Sequence, residues 1–253
     1  INIGENQTAI YYNGKKLGRY DAVLPRIGAS QTSYGTAIVR QFEMIGDFVI
    51  NKSDAIKSSR DKLRSLQVLA KHGIDMPITG YASHTMDIHD VIEKVGKTPL
   101  IMKLLQGTQG NGMVLAETMK AAESVMNAFK QVDADILIQE FIKESSGVDI
   151  RVIVVGKKVV AAMQRVAPEG EFRSNVHRGA ATKHINLTPE EEEIAIKSTK
   201  VLGLSVAGVD LMRSKRGPLV LEVNSSPGLQ GIELLTGADV AGEIISFIEN
   251  SLK

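Results

Sequence analysis

The 253-residue sequence contains no cysteine. That absence excludes disulfides, thiolate–zinc sites and cysteine nucleophiles together, and it suits a reducing, cytoplasmic setting. Neither sign of charge is in surplus: 30 Lys and Arg stand against 29 Asp and Glu, a net charge of +1. A dedicated nucleic-acid binder would carry a concentrated basic excess, so no direct nucleic-acid role is expected, with room left for a local basic groove. No apolar run approaches the length of a membrane-spanning helix, no signal peptide opens the chain, and there is no internal repeat, heptad run or low-complexity tract. What is present is ordinary for a globular enzyme, 43% hydrophobic and 23% charged, with material for one large domain or two modest ones. The chain opens on Ile1 and a strand-like stretch, Ala22 to Ile27, follows quickly. A natural beginning upstream of Ile1 is therefore expected.

Periodicity and turn residues predict a mixed α/β pattern. Helices are expected over Tyr34 to Ile45 and Ser53 to His72, the second closed by Gly73 in the position glycine favours after a helix. A strand follows Pro77. Further strands are expected over Leu100 to Leu105, Met113 to Ala116, Ile136 to Phe141, Val148 to Val155, Val159 to Val166, Val206 to Met212 and Leu219 to Val223. Helices are expected over Met119 to Val132, Pro189 to Leu202 and Val240 to Leu252, with Thr188-Pro-Glu-Glu191 forming a capping box. Tight glycine-bearing turns between strands imply antiparallel neighbours, so the sheet is not purely parallel.

The strongest chemical signal is the pair Val206-Ala-Gly-Val-Asp210 and Leu219-Val-Leu-Glu222-Val-Asn224, joined by Ser214 to Gly217. A turn centred on Arg216 sets Asp210 opposite Glu222 and Gly208 opposite Asn224, with open space expected above the glycine. Residues two apart share a strand face, so Asp210, Glu222 and Asn224 converge. Two carboxylates in an apolar hairpin repel each other unless a cation compensates, and all-oxygen ligation suits Mg²⁺ or Mn²⁺. The plainer alternative is a turn cap at Asp210 and an exposed sheet charge at Glu222.

Lys103 sits alone in the apolar strand Pro99-Leu-Ile-Met-Lys103 and precedes Gln106-Gly-Thr-Gln-Gly-Asn-Gly112. Gly107, Gly110 and Gly112 permit close backbone approach to phosphate, while a flexible hairpin with a solvated lysine is the competing reading. No Lys-Ser/Thr follows the last glycine and no helix opens there, so this is not a Walker A loop. Ile136 to Ile142 is a buried strand ending at Glu140 and Phe141, where a purine can meet a strand edge and a following acid, Asp149, a ribose. A surface charge at Glu140 fits equally well. A long loop carries Arg173, Asn175, His177 and Arg178, and Arg151 and Arg165 precede it on two strands; the cluster suits anions, though each arginine alone suits a solvated surface.

These pieces resemble the ATP-grasp superfamily, and within it the RimK-type ribosomal-protein glutamate ligases. The resemblance rests on Pro25-Arg-Ile-Gly28, Arg40-Gln-Phe-Glu43, Ser59-Arg-Asp-Lys62, Lys103 to Gly110, Gln139-Glu-Phe-Ile-Lys143, Asp149-Ile-Arg151, Phe172-Arg-Ser-Asn175, His177-Arg-Gly179 and Glu222-Val-Asn-Ser-Ser-Pro-Gly228. Ala180 departs from the pattern, where relatives commonly carry a second glycine. The resemblance implies an α+β ATP-grasp fold, two subdomains gripping ATP. It implies a partial pre-ATP-grasp segment over residues 1–52 and an ATP-grasp region over residues 53–253, with the second subdomain from residue 141. It implies that Lys62 and Lys103 contact phosphates, together with Gly107, Gly110 and Gly112, and that Glu140 and Phe141 meet adenine and Asp149 ribose. It places Arg173, Ser174 and Asn175 at the phosphates or acyl phosphate, with Arg151 and Arg173 as catalytic groups. Asp210, Glu222 and Asn224 would hold two Mg²⁺ or Mn²⁺ ions, and Arg165, Arg178 and Arg213 are candidate substrate ligands.

The implied chemistry is carboxylate activation as an acyl phosphate followed by attack of an amine. The implied partners are ATP, L-glutamate and the C-terminal tail of a small-subunit ribosomal protein or a growing glutamate oligomer, and a homo-oligomer is expected. Two alternatives stay open: a sister ligase adding glutamate to a cofactor tail or an amino acid to a carrier protein, and a nucleotide-binding assembly module of the synapsin type.

Overall fold

The computed structural model describes residues 1–4, 8–82, 88–105, 112–132, 134–174 and 179–253. Near the N-terminus, β1 (Tyr11–Tyr12) and β2 (Lys15–Lys16) form an exposed ladder. The expected strand at residue 22 is short: β3 (Ala22–Val23) is followed by helix α1 (Thr32–Met44) and pairs in parallel with β4 (Phe48–Val49). Val39 and Phe42 of α1 pack with Val49 and Ile56. The single helix expected over residues 53–72 is two helices, α2 (Ser53–Arg60) and α3 (Lys62–Lys71). Asp61 between them is extended, at φ −78° and ψ 103°, and its carboxylate accepts the Arg64 N–H at 3.0 Å. An aspartate competes well for free helix-start amides, so it ends one helix and caps the next. The break sets Lys62 in the first turn of α3.

Strand β5 (Thr79–Ala82), helix α4 (Ile88–Val95), strands β6 (Leu100–Leu104) and β7 (Met113–Ala116), helix α5 (Met119–Lys130) and strand β8 (Ile136–Glu140) build the first sheet and its helical cover. Its order is β5-β8-β6-β7, antiparallel throughout. Alternation along the strands divides the two faces. Leu100, Met102, Ile136 and Ile138 pack with Val91, Ile92 and Val95 of α4 and Ala122 and Met126 of α5, while Ile101, Lys103 and Gln139 face the other way into a cleft.

The second sheet has the order β11-β10-β9-β12-β13, also antiparallel throughout, and uses β9 (Val148–Val155), β10 (Lys158–Val166), β11 (Ala181–His184), β12 (Val206–Ser214) and β13 (Gly217–Asn224). Helix α6 (Pro189–Val201), started by the expected Thr188–Glu191 capping box, covers one face through Ala195 against Ile150, Val152, Val154, Val209 and Leu211. Helices α7 (Gln230–Thr236) and α8 (Val240–Ser251) cover one end of the other face, packing Ile232, Ile244 and Ile248 on Ile153, Val155 and Met163. Past that cover, Asp149 and Arg151 continue the same alternation on β9 and line the open end.

The hairpin β12–β13 holds the expected pairs, Asp210 with Glu222 and Gly208 with Asn224, but by another route. The turn is Lys215-Arg216, since Ser214 pairs with Gly217, and a bulge beside Leu211 restores the register. Val220 and Val223 both reach the core although three residues apart, so Leu221 and Glu222 both stand on the cleft side. Without that extra residue Asp210 would face Leu221 and the glutamate would lie on the other face. The space expected above Gly208 is filled: a Cβ there would meet Pro227 Cβ at 2.8 Å.

The N-terminal segment is pinned to this sheet by Asn51. Its buried amide donates to Val206 O at 2.7 Å and Ser225 O at 3.0 Å, and accepts from Ser205 N at 2.7 Å and Val206 N at 3.0 Å. All four amide positions are satisfied, as burial requires.

Candidate active site

The cleft-facing sides of the two sheets line a cleft open to solvent. Pro77, Ile101, Met113, Ile142, Phe172, Met212 and Leu221 supply apolar walls, a surface suited to a flat heterocycle with few polar anchors. Lys103, Gln139 and Glu140 line it from the first sheet, Asp149, Arg165, Asp210 and Glu222 from the second, and Arg173 and Ser174 from the segment between β10 and β11.

The charged floor follows from strand register. Asp149 lies opposite Arg165, and Arg151 opposite Asp210. Arg165 donates from Nε to Asp149 Oδ1 and from Nη2 to Asp149 Oδ2, both at 2.6 Å, and its Nη2 also reaches Asp210 Oδ2 at 2.9 Å. Arg151 donates from Nε to Asp210 Oδ1 at 2.8 Å and from Nη2 to Oδ2 at 2.7 Å. Burial disfavours a charged Asp210, yet the Arg151 and Arg165 guanidinium groups hold its carboxyl well below the usual range. Asp149 has one guanidinium only, and burial pushes its carboxyl up despite Arg165. A carboxylate offers about four lone pairs. Asp210 spends three on arginines and retains one on Oδ1; Asp149 spends two on Arg165 and one on the Ser174 hydroxyl, and retains one on its own Oδ1.

Glu222 is exposed, and Asn224 Nδ2 donates to its Oε1 at 3.0 Å, leaving the Asn224 carbonyl oxygen as an acceptor. Among the described residues no three His, Cys, Asp or Glu side chains group as a metal cage. The oxygens of Glu222, Asn224 and the last lone pair of Asp210 form a short hard-donor set, of the kind that suits magnesium when phosphates and water complete its shell. Two lysines face this set. Lys62 donates to Leu104 O at 2.9 Å, and burial lowers its ammonium against the pull of Glu222. Lys103 is lowered to about 8 by burial, with Glu222 opposing and Lys62 adding repulsion. Two ammonium groups close enough to repel each other, beside Glu222, are poised for an anion.

Several expected residues stand elsewhere or are otherwise engaged. Arg213 points to the opposite face, where it pairs with Glu191 of α6 at 2.6 and 2.9 Å. Odd-numbered β12 residues there face the helix, so Arg213 is removed from the substrate set. Arg165 is 3% exposed and spends its fork on two aspartates, so it orders carboxylates in the wall of the cleft. Glu140 is held by Arg216 and accepts Ile78 N–H at 2.7 Å. Arg173 is gripped by Glu171, from Nε at 2.9 Å and Nη2 at 2.6 Å, with its guanidinium 5.2 Å over the Phe172 ring. That grip holds the Glu171 carboxyl down at about 2. Gly112 takes φ +71° and a Cβ there would strike Leu104 at 2.7 Å; it closes the β6–β7 hairpin. Gly107, Gly110, Asn175, His177 and Arg178 lie outside the described residues.

Sequence reasoning missed Thr79 and Gln139, which bond in series to Lys103. A lone glutamine inside the apolar run Ile136-Leu-Ile-Gln139 was the available signal, of the same kind that marked Lys103.

The chain matches two family models, the RimK PreATP-grasp domain over residues 1–56 and the RimK-like ATP-grasp domain over residues 59–248. It is 63% identical over 253 residues to the probable alpha-L-glutamate ligase of Coxiella burnetii, covering 100% of this chain and 84% of that protein. Among solved structures it is similar to the ATP-grasp ligase PsnB complexed with minimal precursor, Mg and ADP, with a TM-score of 0.73 and 20% identity over 100% of this chain and 84% of that one. It is similar also to D-alanine–D-alanine ligase from Bacillus anthracis complexed with ATP, with a TM-score of 0.70 and 22% identity over 92% of this chain and 79% of that one.

Proposed function

Since the chain belongs to the RimK-like ATP-grasp family and is an ATP-dependent ligase, we propose that it joins the amine of L-glutamate to the C-terminal carboxylate of a protein or peptide acceptor. The tail of a small-subunit ribosomal protein, or a glutamate chain already started there, is the acceptor this reading favours. The observation that carries it is the meeting in one cleft of Lys103 with Asp210 and Glu222, with Lys62 acting on Lys103 and Glu222 and Asn224 bonded to Glu222. The name of the 63%-identical relative supports glutamate.

A carboxylate is a poor electrophile, so an acceptor carboxylate oxygen attacks the γ-phosphorus of ATP, ADP leaves, and an acyl phosphate forms. The glutamate amine then attacks its carbonyl, phosphate departs and a proton is lost. Adenine enters the apolar walls and meets the strand edge at Glu140 and Phe141, and the remaining lone pair of Asp149 takes a ribose hydroxyl. Lys62 and Lys103 hold phosphate oxygens. Arg151, whose Nη1 donates to no acceptor among the described residues, faces the transferred group. Arg173 joins it after leaving Glu171, and fixed cations there favour the charge that develops in transfer. Two Mg²⁺ or Mn²⁺ ions, held by Asp210, Glu222 and Asn224, would neutralise the phosphates. The division into residues 1–52 and 53–253, with a subdomain boundary at about residue 140, belongs to the same reading.

The test is mass spectrometry of an acidic C-terminal tail peptide incubated with ATP, magnesium and single amino acids. Glutamate should give a ladder of glutamate units, with glutamine inert and aspartate poor. Extension by lysine or arginine with glutamate silent would move the chain to ligases acting on carrier proteins.

A further inference from the structure

Gln139 is 4% exposed, and a buried amide is costly unless its polar atoms are bonded. Its Oε1 accepts from Lys103 Nζ at 2.7 Å, and its Nε2 donates to Thr79 Oγ1 at 2.8 Å. The Thr79 hydroxyl in turn donates to Pro77 O at 2.8 Å. The direction of this chain is forced from both ends. An ammonium only donates, so the amide must turn its oxygen to Lys103 and its NH2 to Thr79. The threonine hydrogen is taken by the Pro77 carbonyl, so its oxygen is free to accept that NH2. The three side chains cross three adjacent strands: Thr79 of β5 lies opposite Gln139 of β8, and Gln139 lies opposite Ile101 of β6, two residues before Lys103 on the same face.

The bond holds the lysine without neutralising it. Among the described residues Lys103 has no carboxylate within ion-pair distance, and the group it donates to is a neutral amide. Arg173, by contrast, is matched by Glu171 and Arg216 by Glu140. A glutamate at position 139 would keep an acceptor for Lys103 but cancel its charge, and would lose the donor that Thr79 Oγ1 accepts. Charge kept unspent on a fixed side chain is what an anionic ligand meets most favourably, because the ordering cost is met before binding.

We propose that Thr79 and Gln139 are positioning residues, a neutral relay that aims the Lys103 ammonium into the cleft and reserves its charge for the triphosphate of ATP. The proposal rests on Lys103 being a phosphate ligand.

Calorimetric binding of a non-hydrolysable ATP analogue with magnesium, beside binding of adenosine, separates the possibilities. Thr79→Val should weaken the analogue about three- to tenfold, the range for one neutral hydrogen bond, and leave adenosine within about twofold. Thr79→Ser, which keeps the hydroxyl, should restore analogue affinity. Gln139→Glu should weaken the analogue despite keeping an acceptor, and Gln139→Leu should add nothing in a Lys103→Met background. Equal loss of analogue and adenosine, or an unchanged analogue affinity in Thr79→Val and Gln139→Leu while Lys103→Met weakens it, overturns the relay. An unchanged affinity in Lys103→Met overturns the phosphate reading beneath it.

Discussion

Lys103 carries a charge that folding withdraws from water, and that cost should be readable in the pH dependence of stability. Its ammonium titrates at about 8 in the folded protein against an ordinary 10.5. Between those values the unfolded chain binds a proton that the folded chain has released, and stability rises with pH wherever the unfolded state binds more protons. The contribution of Lys103 is therefore a full penalty below pH 8, shrinks from pH 8 to 10.5, and is absent above. The separation corresponds to about 3 kcal/mol at neutral pH, of which about 1 kcal/mol should be recovered between pH 7 and pH 9. Urea unfolding of the ligand-free protein and of Lys103→Met at both pH values measures it. The gain in unfolding free energy from pH 7 to pH 9 should be larger in the parent protein by about 1 kcal/mol. Comparing gains cancels the groups that do not interact with Lys103 and the pH-independent part of the lost packing; Lys62 and Glu222, which do interact with it, belong to the difference that is measured. An equal gain in both proteins would refute the claim that Lys103 holds an uncompensated charge.

Glu222→Ala and Asn224→Ala should each fold and turn over ATP at least about a hundredfold more slowly, as loss of charge-stabilising groups does; unchanged turnover in a folded Glu222→Ala would remove the metal reading. Asp210→Ala should lose activity and stability together, by about 3–5 kcal/mol in denaturant unfolding, because Arg151 and Arg165 are left facing each other. Gly208→Ala should lower the melting temperature and slow turnover, since its Cβ would sit 2.8 Å from Pro227 in the loop that follows Asn224; a neutral outcome in both assays would show that the loop yields freely. Arg213→Ala should leave kinetic constants for glutamate and ATP intact while reducing stability, because its partner is Glu191 of α6; a raised KM for glutamate would return it to the substrate site.

Much of the fold and part of the site were legible from local pattern. The antiparallel pairs, the Thr188 capping box and the turn at Gly73 follow from residue types a few positions apart, where propensity and bonding geometry act without the rest of the chain. Lys103 and Asp210 were legible because a charge inside an apolar strand has no cheap explanation. Other features depended on contacts between distant segments. Periodicity ran through Asp61 unbroken, and only its capping bond and extended backbone show the break that sets Lys62. The pairing of Asp210 with Glu222 was anticipated from a turn centre that the structure does not have; a bulge beside Leu211 supplies the missing residue, and bulges leave no clear mark in a single sequence. The sequence set Arg151, Arg165, Arg173 and Arg178 near an anion site and the resemblance added Arg213, but which face Arg151, Arg165 and Arg213 serve was decided by strand parity and by partners far along the chain. Arg213 turned to Glu191, Arg165 to two aspartates, and Arg151 to Asp210. What the sequence by itself determined is the inventory of chemistry and the local elements that carry it. The tertiary structure alone decided which charges are spent on one another and which remain for a ligand, because ion pairing depends on distance and burial and neither is local.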